Sequence, residues 1–184
     1  MRIIAGEFRG RKLLPPEGDA TRPITDRVKQ SLFDILTQRI EGARVYDLFA
    51  GTGSMGLECL SRGATHATFF EADRSALERL KKNIKSLELD SRSHVIPGDL
   101  FKWFSTNTAT EQANLIFLDP PYRFLKEQPE KLRKLADSIA RCYLAPDGLV
   151  VFRHDAENEL SLSPLHAIDH REYGGMVLEF LARK

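Results

Sequence analysis

Two short segments hold the residue types that could do chemistry. The first, Asp47-Leu48-Phe49-Ala50-Gly51-Thr52-Gly53-Ser54-Met55-Gly56, places G-x-G-x-x-G after an apolar run and at the head of a helical pattern. In that setting Gly51 allows a tight turn, Gly53 lets a ligand approach the backbone, and Gly56 lets helix and sheet close. Glu71 follows 20 positions after Gly51, at the end of the next apolar run, where a carboxylate can accept both hydroxyls of a ribose. The combination predicts a nucleoside-bearing cofactor and leaves a dinucleotide and S-adenosylmethionine both open. The second segment, Asp119-Pro120-Pro121-Tyr122, follows the fourth apolar run, beside the switch point where open α/β sheets bind ligands. Two prolines remove two amide donors, so backbone carbonyls are expected to face the ligand without competing amides. A carboxylate, rigid carbonyls and an aromatic ring together suit a planar base bearing an exocyclic amine. Asp119 and the Pro120 carbonyl would accept its two N–H bonds, and Tyr122 would stack on it.

Such an amine is a poor nucleophile because its lone pair is delocalised into the ring. Acceptors that hold its hydrogens out of plane, with in-line alignment to an electrophilic methyl, would supply the acceleration through positioning and preorganised electrostatics. No strong base is needed first, because the proton becomes acidic only as the N–C bond forms. The target base must leave its stack to reach such a site. Asp99, just past the third apolar run, could meet an adenine amine of the cofactor, although Asp there is equally an ordinary helix cap. The histidines His66, His94 and His154 stand apart. His166 and His170 have H-x-x-x-H spacing but fall in a run read as a strand, where four residues separate them too far to share an ion. Cys59 and Cys142 stand far apart without C-x-x-C, so no metal site is expected.

The elements that must carry these segments alternate. Residues 1–14 read as two short strands punctuated by Gly6 and Gly10. A helix capped by Thr25 or Asp26 runs to a stop at Gly42. Strands at Val45–Ala50, Ala67–Glu71, Val95–Ile96, Leu115–Leu118 and Leu149–Phe152 are separated by helical patterns, which calls for a parallel sheet with helices on both faces. Ala145-Pro146-Asp147-Gly148 reads as a turn before the last of these. His166–Tyr173 and Met176–Leu181, joined at Gly174-Gly175, leave room only for an antiparallel hairpin.

At 184 residues, 42% hydrophobic and 29% charged, the chain fits one globular domain and neither a disordered nor a fibrous class. No apolar run approaches a membrane span, and charge interrupts the opening residues too soon for a secretory signal, so a cytoplasmic protein with no membrane partner is expected. The net charge of +1 conceals seven Lys or Arg against four acids in residues 1–29. Arg2, Arg9, Arg11, Lys12, Arg22 and Arg27, with Lys29 and Phe8, form a basic front end suited to gripping phosphates.

The stretches Met1-Arg2-Ile3-Ile4-Ala5-Gly6, Arg22-Pro23-Ile24-Thr25-Asp26-Arg27-Val28, Asp47 to Gly53, Ser61-Arg62-Gly63-Ala64 and Asp119-Pro120-Pro121-Tyr122 occur in order across nearly the whole chain. Together they resemble the bacterial 16S rRNA guanine-N2 methyltransferases of the RsmD type. The resemblance implies a Rossmann-like class I methyltransferase fold with a seven-stranded, mostly parallel sheet, a C-terminal antiparallel strand and an N-terminal hairpin extension. It implies S-adenosyl-L-methionine as donor and one guanine of 16S rRNA as acceptor, presented by the small subunit or its assembly precursor. The organisation expected is a single domain over 1–184, with a hairpin and loop over 1–22, a helix over 25–41 and the catalytic core over 43–184, acting as a monomer. Carried over by motif, Asp47, Gly51, Thr52, Gly53, Gly56, Glu71 and Asp99 would hold the donor, and Asp119, Pro120, Pro121 and Tyr122 the guanine.

Two departures stand out. Arg153 occupies a position after the fifth strand where an acidic residue is expected, and the 154–165 connection is too short for a full helix; neither is expected to touch the transfer residues. The alternative is an N6-adenine DNA methyltransferase, which shares the Asp/Asn-Pro-Pro-Tyr pattern but generally carries a target-recognition domain that 184 residues would not accommodate. A nicotinamide oxidoreductase and a non-enzymatic RNA-binding module are further rivals.

Overall fold

A computed structural model describes residues 1–17, 24–108 and 111–183, in two compact units, Met1–Gly98 and Asp99–Lys184. In the first unit the N-terminal segment closes on itself. Arg2 and Lys12 form an antiparallel bridge, and the Ile3 amide donates to the Arg11 carbonyl at 3.0 Å. The expected pair of strands is thus a single bridge, with Ile3 and Leu13 buried beneath it. Helix α1 (Asp26–Ile35) is capped by the Thr25 hydroxyl, which accepts from the Val28 amide, and it buries Leu32 and Phe33. The helix expected over 25–41 is broken at Leu36. There the Thr37 hydroxyl donates to the Phe33 carbonyl, and a short α2 (Thr37–Ile40) follows.

Strands β1 (Arg44–Leu48), β2 (His66–Glu71) and β3 (Ser93–Pro97) run parallel with β2 in the middle, Val45 opposite Ala67 and Phe69 opposite Val95. The interior residues of β2 are all buried, as a parallel strand covered on both faces requires. Helices α3 (Ser54–Ser61) and α4 (Arg74–Ser86) make the crossovers. Asp73 caps α4 by accepting from the Ala76 amide, and Leu80 and Ile84 form its buried stripe.

The second unit holds α5 (Leu100–Thr106), β4 (Ala113–Leu118), α6 (Arg123–Glu127), α7 (Pro129–Ser138), β5 (Leu144–Asp155), β6 (Leu165–Tyr173) and β7 (Met176–Arg183). Strands β4 and β5 are parallel. Strand β7 lies between β5 and β6 and runs antiparallel to both, and Gly174 and Gly175 at positive φ make the two-residue turn that right-twisted strands favour. The seven strands are mostly parallel with one antiparallel member near the C-terminus, as expected. Residues 145–148 correct the expected turn. They form a bulge inside β5, where the register against β4 shifts between the pairs Ala113–Leu144 and Leu115–Leu149 so that β4 pairs with β5 on both sides of them. No helix fills the connection from β5 to β6.

Candidate active site

The glycine turn is built by carboxylates that reach back to its amides. Asp47, 2% exposed at the end of β1, accepts from the Gly56 amide at 2.9 Å. That amide lies in the first turn of α3, whose cap residue Gly53 has no side chain to offer, so the strand supplies the cap. Glu71 Oε2 accepts from the Gly51 amide at 2.7 Å, and its Oε1 accepts from the Ala72 and Asp73 amides at 2.8 Å each. Three of about four lone-pair positions are occupied, which leaves one on Oε2 for a ligand hydroxyl. Thr52 is buried, and its carbonyl accepts from Asn83 Nδ2 at 3.0 Å.

The glycines divide by role. A Cβ on Gly53 would lie 2.4 Å from Leu80 Cδ1, and one on Gly56 would lie 2.3 Å from Phe69 Cε1, so Gly53 lets the turn pack on α4 and Gly56 lets α3 pack on β2. A Cβ on Gly51 would meet nothing within 4 Å. The open side of the turn is therefore at Gly51, next to the free lone pair of Glu71. An acidic hydroxyl acceptor beside an open, glycine-lined backbone fits a nucleoside's ribose.

In the second unit Asp99 caps α5, with Oδ1 accepting from the Phe101 amide at 2.8 Å and the Lys102 amide at 3.4 Å. The cap uses one oxygen; Oδ2 has no partner among the described residues. The acceptor loop opens directly after β4. The Pro121 carbonyl accepts from the Phe124 amide at 2.8 Å, so it does not face a ligand freely as expected; a reverse turn into α6 consumes it. The Pro120 carbonyl has no partner among the described residues. Tyr122 stands half-buried in helical conformation at the head of α6, with its own carbonyl bonded to the Leu125 amide.

Arg153 overturns an expectation. It lies within β5, not beyond it, and its Nε donates to Asp119 Oδ1 at 2.6 Å, with the two side chains 13% and 22% exposed. The cause is register: Leu118 pairs with Phe152 in the parallel ladder, so the next residue on each strand falls side by side. Burial pushes the Asp119 carboxyl above the usual range while the Arg153 guanidinium pulls it back.

The basic front end is also sorted. Arg2, Arg9, Arg11, Lys12 and Arg27 are exposed, and Arg2 and Arg9 line one cavity of about 250 Å³ with Ile3, Ile4, Gly10 and Gln30. Arg2 pairs with Asp26 at 2.7 Å, and Arg11 donates to the Ser86 carbonyl at 2.6 Å. Arg22 lies outside the described residues. Lys29 is corrected: at 1% exposure it is not part of a phosphate-gripping surface, and it pairs with the fully buried Glu58 at 2.9 Å. Glu58 also accepts from the Ile4 and Ala5 amides at 2.8 and 3.0 Å and from Arg62 Nε at 2.9 Å. Asn83 similarly exchanges bonds with Leu14. Residues 1–14 are thus moored to α3 and α4. Glu58, Asn83 and Arg153 escape a reading of the sequence because each finds its partner far along the chain. Among the described residues no cluster of His, Cys, Asp and Glu could hold a metal, and no helix is long and apolar enough to cross a membrane.

Comparison with known proteins shows the family of the chain. Ribosomal RNA small subunit methyltransferase D of Escherichia coli K12 is 37% identical over 173 residues, covering 94% of this chain and 83% of that protein. The protein of the same name from Haemophilus influenzae is 41% identical over 162 residues, covering 87% and 81%. The solved structure of the Escherichia coli protein yhhF superposes with a TM-score of 0.83 at 32% identity, over 100% of this chain and 98% of that one. A family model described as conserved hypothetical protein 95 matches residues 1–182. With its Rossmann-like class I methyltransferase fold, the chain belongs to the conserved hypothetical protein 95 family.

Proposed function

We propose that the protein transfers a methyl group from S-adenosyl-L-methionine to the exocyclic N2 amine of one guanine in 16S rRNA, presented by the small ribosomal subunit or its assembly precursor. The observation that carries the reading is the acceptor pair after β4, Asp119 Oδ2 and the Pro120 carbonyl, both without partners among the described residues. Its support from outside is the name shared by the relatives from Escherichia coli and Haemophilus influenzae, which refers to small-subunit ribosomal RNA. The same names leave the DNA-directed alternative without support.

The bound donor would supply an electrophilic methyl carbon and leave as a neutral thioether, and the amine proton, acidic only once the N–C bond forms, would pass to Asp119 Oδ2. On the protein side, Gly51 and the Glu71 Oε2 lone pair would take the ribose, and Asp99 Oδ2 the adenine amine. Asp47, Gly53 and Gly56 would act by holding the turn's shape, and Thr52 by the backbone it shares with Asn83. Asp119 Oδ2 and the Pro120 carbonyl would each take one hydrogen of the guanine amine, turning the nitrogen lone pair away from ring conjugation, while Tyr122 stacks on the base. Pro121 fixes the backbone between them. Arg2, Arg9, Arg11, Lys12 and Arg27, with Arg22, would neutralise RNA phosphates. We place this activity in the cytoplasm and read the active species as a monomer.

The test is methyl transfer from labelled donor to small ribosomal subunits and, in parallel, to adenine-containing duplex DNA, with mass-spectrometric mapping of the modified nucleotide. N2-methylguanine in 16S rRNA is the expected product. Label entering only DNA, or a different rRNA atom, would overturn the reading.

A further inference from the structure

The contact between Arg153 and Asp119 has no part in the two-acceptor scheme as the sequence suggests it, yet it decides which oxygen of Asp119 can serve. A carboxylate turns readily about its last torsion, which has broad, nearly two-fold preferences. Either oxygen could then meet a ligand, and each turn would move the acceptor. The 2.6 Å bond from Arg153 Nε to Oδ1 ends that freedom, and it is the charge-assisted kind that is short and strong. Resting on the functional reading above, we propose that Arg153 is a positioning residue: by holding Oδ1 it presents Oδ2, in one orientation, to the acceptor amine.

The pairing has a second consequence. Burial prevails and leaves the Asp119 carboxyl above its ordinary range, but Arg153 holds it short of where burial alone would put it, so the ionised acceptor persists to lower pH. The other charged groups nearby in the chain are engaged elsewhere. His154 Nδ1 lies 2.8 Å from the Asp155 carbonyl and its Nε2 faces Glu179, Asp155 Oδ1 accepts from the Glu157 amide, and the Arg123 guanidinium stands over the Phe124 ring. Arg153 is thus the charged group that acts on Asp119 among the described residues.

Two variants separate positioning from packing. Arg153→Gln removes the charge; Arg153→Lys keeps it and loses the planar donor. In Arg153→Gln we expect kcat on small subunits to fall about ten-fold or more, given that misplacement by 1 Å can cost about 100-fold. Donor affinity by calorimetry should stay unchanged. The acid limb of the rate profile should move to higher pH by about one unit or more, because an opposite charge at this range shifts a carboxyl by about 1–3. Arg153→Lys should restore the limb while recovering only part of the rate. A wild-type rate and limb in Arg153→Gln would overturn the proposal, as would equal losses in both variants with an unmoved limb. Carbon-13 titration of the Asp119 carboxyl in wild type and Arg153→Gln reads the pair without any activity. Identical titrations would sink the positioning role by themselves. If wild-type protein fails to methylate small subunits, the functional reading falls, and the titration still decides the pair.

Discussion

Replacing Glu58 by Gln tests the mooring of the basic segment most directly. The side chain keeps its size, loses its charge and gains an NH2 where four donors now converge: the Ile4 and Ala5 amides, Lys29 Nζ and Arg62 Nε, all within 2.8–3.0 Å. Ile4 and Lys29 share Oε2 while Ala5 and Arg62 share Oε1, so whichever oxygen becomes NH2, two of the four then face another donor. With the NH2 in the Oε2 position, the buried Lys29 ammonium keeps the Ser54 hydroxyl and the Arg2 carbonyl as partners among the described residues. Breaking a buried pair from one side costs about 3–5 kcal/mol. At about 2–4 °C per kcal/mol for a chain of this size, Tm should drop by roughly 6–20 °C. Adding Lys29→Met removes the stranded charge, so the double variant should recover part of the loss, with a coupling of about 0.5–3 kcal/mol. The sign with pH also follows. Burial pushes the Glu58 carboxyl up, but Lys29, the Ile4 amide and Arg62 outweigh it and hold it below its ordinary value. Its contribution is therefore present above the ordinary glutamate range and is lost as pH falls through the depressed value. Thermal and urea melts followed by circular dichroism, with amide exchange at Ile4 and Ala5, measure all of this. A Glu58→Gln protein within about 1 kcal/mol of wild type, with those two amides still protected, would refute the mooring.

Asp119→Ala should abolish methyl transfer while donor affinity, measured by calorimetry, changes little, because Asp119 would meet the acceptor amine and not the donor; the Arg153 guanidinium also loses its bond to Asp119. Glu71→Gln should weaken donor binding by about 1–3 kcal/mol, the usual cost of a lost charged hydrogen bond, and an unchanged Kd would remove the ribose from Glu71. Gly56→Ala would drive a methyl group into the Phe69 ring, and an overpacking cost of about 1–3 kcal/mol should appear in thermal melts; a neutral result would mean that the ring has room to turn.

What could be read along the chain is what local chemistry dictates. Alternating apolar runs and helical stripes announce parallel strands and their crossovers, two glycines between apolar runs announce the final hairpin, and G-x-G-x-x-G with an acid 20 residues on announces the turn that Glu71 braces. These features need only neighbours a few residues away, or a spacing that the βαβ unit itself sets. The basic front end was equally legible as composition, but not which of its charges face solvent: Lys29 looks like Arg27 in sequence and is buried against Glu58. The bulge at 145–148 was unreadable for a related reason, since a Pro-Asp-Gly run is turn chemistry until a neighbouring strand pairs with both of its flanks, here at Leu144 and Leu149. Arg153 and Asp119 stand 34 positions apart, and only the pairing of Leu118 with Phe152 brings them together. Sequence alone determined the kind of fold and the two segments in which the proposed chemistry is placed. Tertiary structure alone decided which charges are neutralised in pairs and which oxygen of each carboxylate is left to bind, because desolvation and long-range register act between residues that no local pattern connects.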